Sequence, residues 1–314
     1  MPCLSLQGAH LALAGAARYA MTLNLSLIGL LDMPLTTTLT ARGRSLDLSS
    51  PKIMGILNVT PDSFSDGGKF LGRDAAIRHA EAMVQDGAAI IDVGGESTRP
   101  GADPVSEEQE LERVVPVVEA IAQNLDVMVS VDTSSPQVMT ESAQAGAHIW
   151  NDIRALQRPL AVATAAQLEV AVCLMHMQGD PKTMQVKPSY HDVVAEVKNF
   201  LQERAQACEQ AGIPAERIIL DPGFGFGKSV ADNYRLLNHL TELSLNERYF
   251  VLSALSRKTM IGAATGQQVA AERVVGSVTA AFFSMEQHAQ IVRVHDVKET
   301  YQALQIYQAL REYA

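Results

Sequence analysis

Residues 88–101 read AAIIDVGGESTRPG: a short apolar run ends in Asp92 and passes directly into a glycine-rich polar turn. Before Asp92 there is no polar alternation, which marks a strand covered on both faces, as in a parallel sheet. Runs of the same build recur at 53–59, 127–131, 148–153, 170–175, 217–220, 249–255 and 290–294. Between them lie segments of helical period. Residues 74–85 place Ala76, Ile77, Ala80 and Val84 on one face, and Ser106 with Gln109 has capping-box spacing at the head of a segment that ends near Asn124. Further helices are expected over 191–211, 231–240, 271–288 and 297–310, and Gly87, Gly146 and Gly212 stand where helices end in a left-handed residue.

Eight β/α units in about 260 residues match a single-domain α/β fold, the (β/α)8 TIM barrel. An open doubly wound sheet would also alternate strands and helices, but the first run here is not followed by GxGxxG. Residues 45–314 are assigned to the barrel. Residues 1–44 read as an N-terminal extension, poorly ordered or upstream of the true start, with Met21 and Met33 as alternative starts. Its apolar runs are interrupted by Arg18, Asp32 and Pro34, too short for a membrane span and lacking the basic head of a secretory signal.

The chain of 314 residues carries a formal net charge of −10, which argues against nucleic acid or an anionic membrane as partner. Hydrophobic residues at 47% and charged residues at 19% suffice for a sizeable core. Cys3, Cys173 and Cys208 are widely spaced, with neither a disulfide framework nor zinc-ligand spacing, so a reducing cytoplasm is expected.

The residues at and just beyond the strand ends carry the chemistry. The first run gives Asn58, the second Asp92, the third Asp132-Thr133, the fourth Asn151-Asp152 and the fifth His176. The sixth gives Asp221-Pro222-Gly223-Phe224-Gly225-Phe226-Gly227-Lys228, the seventh Ser256-Arg257-Lys258, the eighth Arg293 and His295-Asp296. A barrel gathers strand C-termini on one face, where active sites lie. Single Asp or Asn residues there often only mark turns. Arg, Lys and His at so many strand ends are not needed by turns. Asn58, Arg99, Arg293 and His295 are donors suited to an anion, arginine forks matching phosphate oxygens bidentately. An ion pair of Arg293 with nearby Asp296 is the bland alternative. Asp132, Asn151, Asp221 and Lys258 suit the amino and carbonyl edge of a flat heterocycle. The 223–227 glycines lack P-loop spacing and read as a close backbone turn with Phe226 as a stacking wall. His176 reads as catalytic or, at least as readily, as a structural histidine.

Residues 54–68, 92–101, 220–227 and 293–296, in that order, resemble the signatures of the dihydropteroate synthase family, from about Ser45 to near the C-terminus. The resemblance implies condensation of 6-hydroxymethyl-7,8-dihydropterin diphosphate with 4-aminobenzoate to 7,8-dihydropteroate and pyrophosphate. It assigns Asp132, Asn151, Asp221 and Lys258 to the pterin, and Asn58, Arg99, Arg293 and His295 to the pyrophosphate, with Asn58 also at a Mg²⁺ ion. Thr98, Pro100, Phe226, Ser256 and Lys258 would surround the aminobenzoate, and Lys258, Arg99, Asp132 and Asp221 would carry catalysis. Two mobile loops, 60–72 and 94–103, would close over the site, and a homodimer is implied. One departure is visible: Ala254 stands where the family usually has glycine, near the aminobenzoate site, a glycine that some sulfonamide-insensitive relatives also lack. Rival readings are a pterin-binding methyltransferase acting on methyltetrahydrofolate, which needs no anion pocket, a non-catalytic barrel serving as a binding partner, and an aldolase using Lys258.

Overall fold

The computed structural model describes residues 37–60, 68–96, 105–179, 184 and 188–313, with 68–71 as backbone only. The chain enters as an antiparallel hairpin, β1 (Thr38–Ala41) and β2 (Arg44–Asp47). Arg42 and Gly43 between them both have positive φ, +49° and +77°, the geometry of a two-residue turn matched to strand twist. Leu39, Ala41 and Leu48 are buried in one cluster with Met54, Ile90, Met128 and Ile149 from inside the barrel. Arg42 donates to the carbonyls of Glu169 (3.2 Å) and Leu168 (2.9 Å), and Arg44 pairs with Asp126 at 2.5 Å. These partners precede barrel strands, so the hairpin seats against the end of the barrel opposite the strand C-termini. The expected boundary at residue 45 falls inside this hairpin, and the compact unit begins at Thr37.

The barrel strands are β3 (Lys52–Asn58), β4 (Ala88–Gly94), β5 (Met128–Asp132), β6 (Ile149–Asp152), β7 (Ala171–Met175), β8 (Ile218–Asp221), β9 (Phe250–Ser253) and β10 (Ile291–Val294). All pair in parallel and close into a ring in chain order, β10 returning to β3. Every residue of β6, β7, β8 and β9 is buried, as the unbroken apolar runs require. Strand β8 is offset by one residue from the expected 217–220, so Asp221 is the last strand residue.

Helices cover the outside: α1 (Gly68–Gln85), α2 (Glu107–Asn124), α3 (Pro136–Gln144), α4 (Ala161–Leu168), α5 (Val193–Gln210), α6 (Val230–Asn238), α7 (Thr259–Thr265), α8 (Val274–Glu286) and α9 (Val297–Glu312). The capping box forms as expected: Ser106 Oγ accepts from Gln109 N, and Gln109 Oε1 from Ser106 N, each at 3.2 Å. Among the described residues no helix is long and apolar enough to cross a membrane.

Candidate active site

Inward-facing side chains alternate along each strand, so an apolar floor lies beneath a polar rim. Met54, Ile90, Met128, Ile149, Cys173, Ile219 and Leu252 form the floor. Strand register then places Asn58, Gly94, Asp132 and Asn151 in one row across β3 to β6. A Cβ added to Gly94 would meet Asp132 Cβ at 3.6 Å and Asn58 Oδ1 at 3.8 Å in ordinary contact, so Gly94 brings the backbone of β4 beside both side chains.

Arg293, from β10, reaches across this row. Its Nε donates to Asp92 Oδ2 at 2.6 Å and its Nη2 to Asp132 Oδ2 at 2.9 Å. Asn151 Nδ2 donates to the same Asp92 oxygen at 3.1 Å. The bland pairing of Arg293 with Asp296 is not what forms: Asp296 binds Arg257 through both guanidinium contacts, at 2.5 and 3.0 Å. Asp296 lies past the end of β10 at the head of α9, within reach of Arg257, which follows the adjacent β9. Arg293 therefore touches the Asp132–Asn151 group, so the two expected sets adjoin at this residue.

One guanidinium faces two carboxylates, the buried Asp92 and the half-buried Asp132, so the two acidic groups compete for one positive partner. Burial and the charge of Asp92 raise the Asp132 carboxyl to about 7 against the pull of Arg293. Burial works against the Arg293 charge, but Asp92 and Asp132 outweigh it and hold the guanidinium more firmly protonated than usual. Asp221, on the far side of the ring, is raised by burial, opposed by Lys258 and by the Gly223 N–H, which its Oδ1 accepts at 2.7 Å. Lys258 is lowered to about 8 by burial, offset by Asp221. Its Nζ donates to the Phe224 carbonyl and sits 4.9 Å from the centroid of the Phe226 ring.

Ser256 Oγ accepts the His295 backbone N–H at 3.1 Å and meets His295 Nδ1 at 3.0 Å, so two residues expected in different subsites are in contact. Ala254 is buried in the inward-facing cluster, directing its methyl toward the barrel interior. Thr98, Arg99 and Pro100, and most of the two expected loops, lie outside the described residues.

His176 packs into the turn region with its Nδ1 buried and, among the described residues, without a hydrogen-bond partner. Its ring packs edge-on against Phe200 at 5.0 Å, and burial pushes its pKa down to about 3, so it is neutral. Lys228 was given no role by its sequence context. It is buried, and its Nζ donates to the carbonyls of His176 (3.1 Å), Gly223 (2.9 Å) and Phe226 (3.0 Å). It thus clamps the turn after β8 to the end of β7. Asn233 tightens the same turn, accepting Gly225 N at 2.7 Å and donating to the Ser229 carbonyl at 2.7 Å. Asp92 was likewise read only as a strand-end residue. Its hub position is signalled by an aspartate inside an otherwise apolar parallel strand.

A family model described as pterin binding enzyme matches residues 54–295. A dihydropteroate synthase of Escherichia coli (strain K12) is 55% identical over 269 residues, 86% of this chain and 95% of the relative. Among solved structures, a Yersinia pestis dihydropteroate synthase in a sulfonamide drug complex superposes with a TM-score of 0.83 at 55% identity, covering 88% of this chain and 99% of that one. A Xanthomonas albilineans dihydropteroate synthase with 4-aminobenzoic acid superposes with a TM-score of 0.83 at 48% identity, covering 88% and 98%.

Proposed function

The chain belongs to the dihydropteroate synthases of the pterin-binding enzyme family, and from that premise we infer how its own residues carry the reaction. The enzyme is a transferase that condenses 6-hydroxymethyl-7,8-dihydropterin diphosphate with 4-aminobenzoate, releasing pyrophosphate and 7,8-dihydropteroate. The observation that carries the site assignment is the meeting of two carboxylates, the buried Asp221 and the half-buried Asp132, at one barrel mouth with the Asn151 amide and Lys258. A pterin presents ring N–H and amino donors beside a carbonyl, and these acceptors and donors are its complement.

The diphosphate ester bond breaks first in this reading, its electron pair leaving with pyrophosphate. The electron-rich dihydropterin spreads the positive charge left on the methylene carbon, and the ring is favoured by the carboxylates of Asp132 and Asp221. Asn58, Arg99, Arg293 and His295 stabilise the departing anion, a preorganised contribution of about 3–4 kcal/mol per well-aimed donor. The arylamine lone pair then forms the C–N bond, and the ammonium proton is lost to solvent. Phe226 and the Lys258 stem wall the aminobenzoate, with Thr98, Pro100 and Ser256 beside it. Exclusion of water matters most, because water would trap the same cation.

The donor set suits Mg²⁺. Asn58 offers a neutral amide oxygen, and Mg²⁺ commonly takes one or two protein oxygens and fills its shell with substrate phosphates and water. Among the described residues no cluster of His, Cys, Asp or Glu is fit to hold an ion by itself. Bound at Asn58 with the diphosphate, the ion would neutralise leaving-group charge. A homodimer is supported by apolar side chains that α8 and α9 leave exposed, among them Val275, Phe283, Ile306 and Leu310. The unpaired thiols of Cys173 and Cys208 suit a cytoplasmic enzyme.

Pyrophosphate release from the pterin diphosphate tests the assignment. Release should depend on 4-aminobenzoate and match dihydropteroate formed; turnover indifferent to 4-aminobenzoate overturns it. A second expectation concerns pH. Asp132 accepts from two pterin donors at once only when ionised, because protonation turns one of its oxygens into a donor, and its carboxyl is raised to about 7 in the free protein. Pterin affinity should therefore weaken about tenfold per pH unit below that value, and Asp132→Asn should flatten the dependence. Calorimetric titration from pH 8 to 5 reads this directly. The linked sign for folding is opposite: the native state keeps a proton that the unfolded chain has lost, so this group's contribution to stability declines as pH rises from the ordinary carboxylate range to about 7.

A further inference from the structure

Asp92 has a place in the site that neither the substrate set nor the fold explains. It is fully buried in the middle of β4, two residues below the rim, one step above the apolar floor formed by Ile90 and Met128. One oxygen, Oδ2, accepts two donors that come from opposite sides: Arg293 Nε at 2.6 Å from β10 and Asn151 Nδ2 at 3.1 Å from β6. Among the described residues the other oxygen, Oδ1, has no hydrogen-bond partner, and neither has the hydroxyl of Ser130, its register neighbour on β5. A carboxylate buried half-satisfied is a poor way to stabilise a barrel, since an apolar residue of similar volume commonly does as well or better. Such a group is retained where its geometry is needed. Here the geometry is specific. The Arg293 guanidinium is pinned at Nε by Asp92 and at Nη2 by Asp132, and two bonds to carboxylates on neighbouring strands fix both its position and its plane. The Asn151 amide is orientated by the same oxygen.

We propose that Asp92 is the positioning residue of the substrate pocket: from beneath, it holds Arg293 and Asn151 in the pose in which they meet the pterin diphosphate, without touching substrate itself. The proposal rests on the assignment of Arg293, Asn151 and Asp132 to that pocket. Its charge has a second consequence, because it is among the groups that raise the Asp132 carboxyl.

The test is a double-mutant cycle of Asp92→Asn and Arg293→Gln in the full-length enzyme, with steady-state kinetics on both substrates. Asp92→Asn should lower kcat/KM for the pterin diphosphate about 30-fold while the KM for 4-aminobenzoate stays within about twofold. In the Arg293→Gln background the same substitution should cost less, about tenfold or below, because one of the two groups it positions has gone and only its hold on Asn151 remains. The pH midpoint of pterin binding should also move down in Asp92→Asn, a shift that a merely structural residue would not produce. Parent-like kinetics of Asp92→Asn, losses that multiply in the double variant, or an unmoved midpoint each overturn the proposal. If Arg293→Gln and Asn151→Ala themselves leave kcat/KM unchanged, the pocket assignment fails instead. Should Asp92→Asn not fold, hydrogen exchange of the Arg293 Nε–H in the unmutated protein decides. Protection is expected, with the resonance identified by its loss in Arg293→Gln, and exchange at the rate of a solvent-exposed arginine refutes the anchor.

Discussion

Asp221→Asn should lower kcat/KM for the pterin diphosphate by about a thousandfold while leaving the thermal midpoint unchanged or slightly raised. The two halves of this expectation come from the same environment. Asp221 ends β8, is 4% exposed, and accepts the Gly223 N–H at 2.7 Å through Oδ1. An amide in the same rotamer keeps that bond, so the turn after β8 has no reason to move. Burial raises the Asp221 carboxyl, which means that the folded protein holds its charge at a cost, and a neutral isostere relieves it. The pocket loses far more. A carboxylate accepts two donors from a pterin edge, whereas the amide offers one acceptor and turns two N–H groups toward ring N–H groups. Hydrogen bonds to a charged group contribute about 1.5–3 kcal/mol each, so losing two amounts to roughly 3–6 kcal/mol, centred near a thousandfold. Lys258 also loses the carboxylate that holds up its proton affinity against burial. Kinetics with each substrate varied in turn, beside a thermal melt, separate the two halves. A loss below about tenfold would remove Asp221 from the pterin contacts, and a loss accompanied by a large drop in the melting temperature would make the residue structural.

The barrel was legible because its strands are buried on both faces, and β7, Ala171–Met175, shows why: five buried residues in a row leave no other arrangement for so short a run. Helices with a cap or an amphipathic face were legible too, as at Ser106. Helices α4 and α7 were not expected. Helix α4, AVATAAQL, has no polar face and no side-chain cap, and is bounded by left-handed Leu160 and Glu169, so nothing local marks it. The β1–β2 hairpin was hidden by its four-residue strands and by the apolar segment before it. In the site, strand ends were easy to find and partners were not. Asp92 and Arg293 are 201 residues apart, and only barrel closure brings them together. Asp296, three residues from Arg293, is the partner that proximity in sequence suggests, but it lies past the strand at the head of α9, where Arg257 meets it. Nothing in the sequence around Lys228 signals a role, whereas its three carbonyl acceptors make it an internal brace.

That brace makes Gly223 the position where one added methyl should do the most damage. Gly223 has φ +67°, and a Cβ built on it would lie 2.0 Å from the His176 carbonyl oxygen and 3.0 Å from its carbon. The obstacle is backbone at the end of β7, which no rotamer change can clear. Gly223→Ala must therefore push the turn outward, and that motion pulls at every bond described around it: Gly223 N to Asp221, Gly223 O and His176 O to Lys228, and Phe226 N to Gly223 O at 3.0 Å. A buried ammonium stripped of acceptors is the costliest of these losses, and the sum should reach roughly 3–5 kcal/mol. For a domain of this size that is a fall in melting temperature of about 6–20 °C. Activity should fall at least about a hundredfold at temperatures where the variant is still folded, because the same turn presents the Phe224 carbonyl and the Phe226 ring to Lys258. Gly212→Ala separates backbone strain from collision. Gly212 has φ +92° with nothing within 4 Å of an added Cβ, so it should cost only the left-handed conformation, about 1–2 kcal/mol, and leave activity intact. Equal melting temperatures for the two variants would show that the close approach of the turn to β7 does not matter. Only a markedly lower value for Gly223→Ala, with lost turnover, supports the brace.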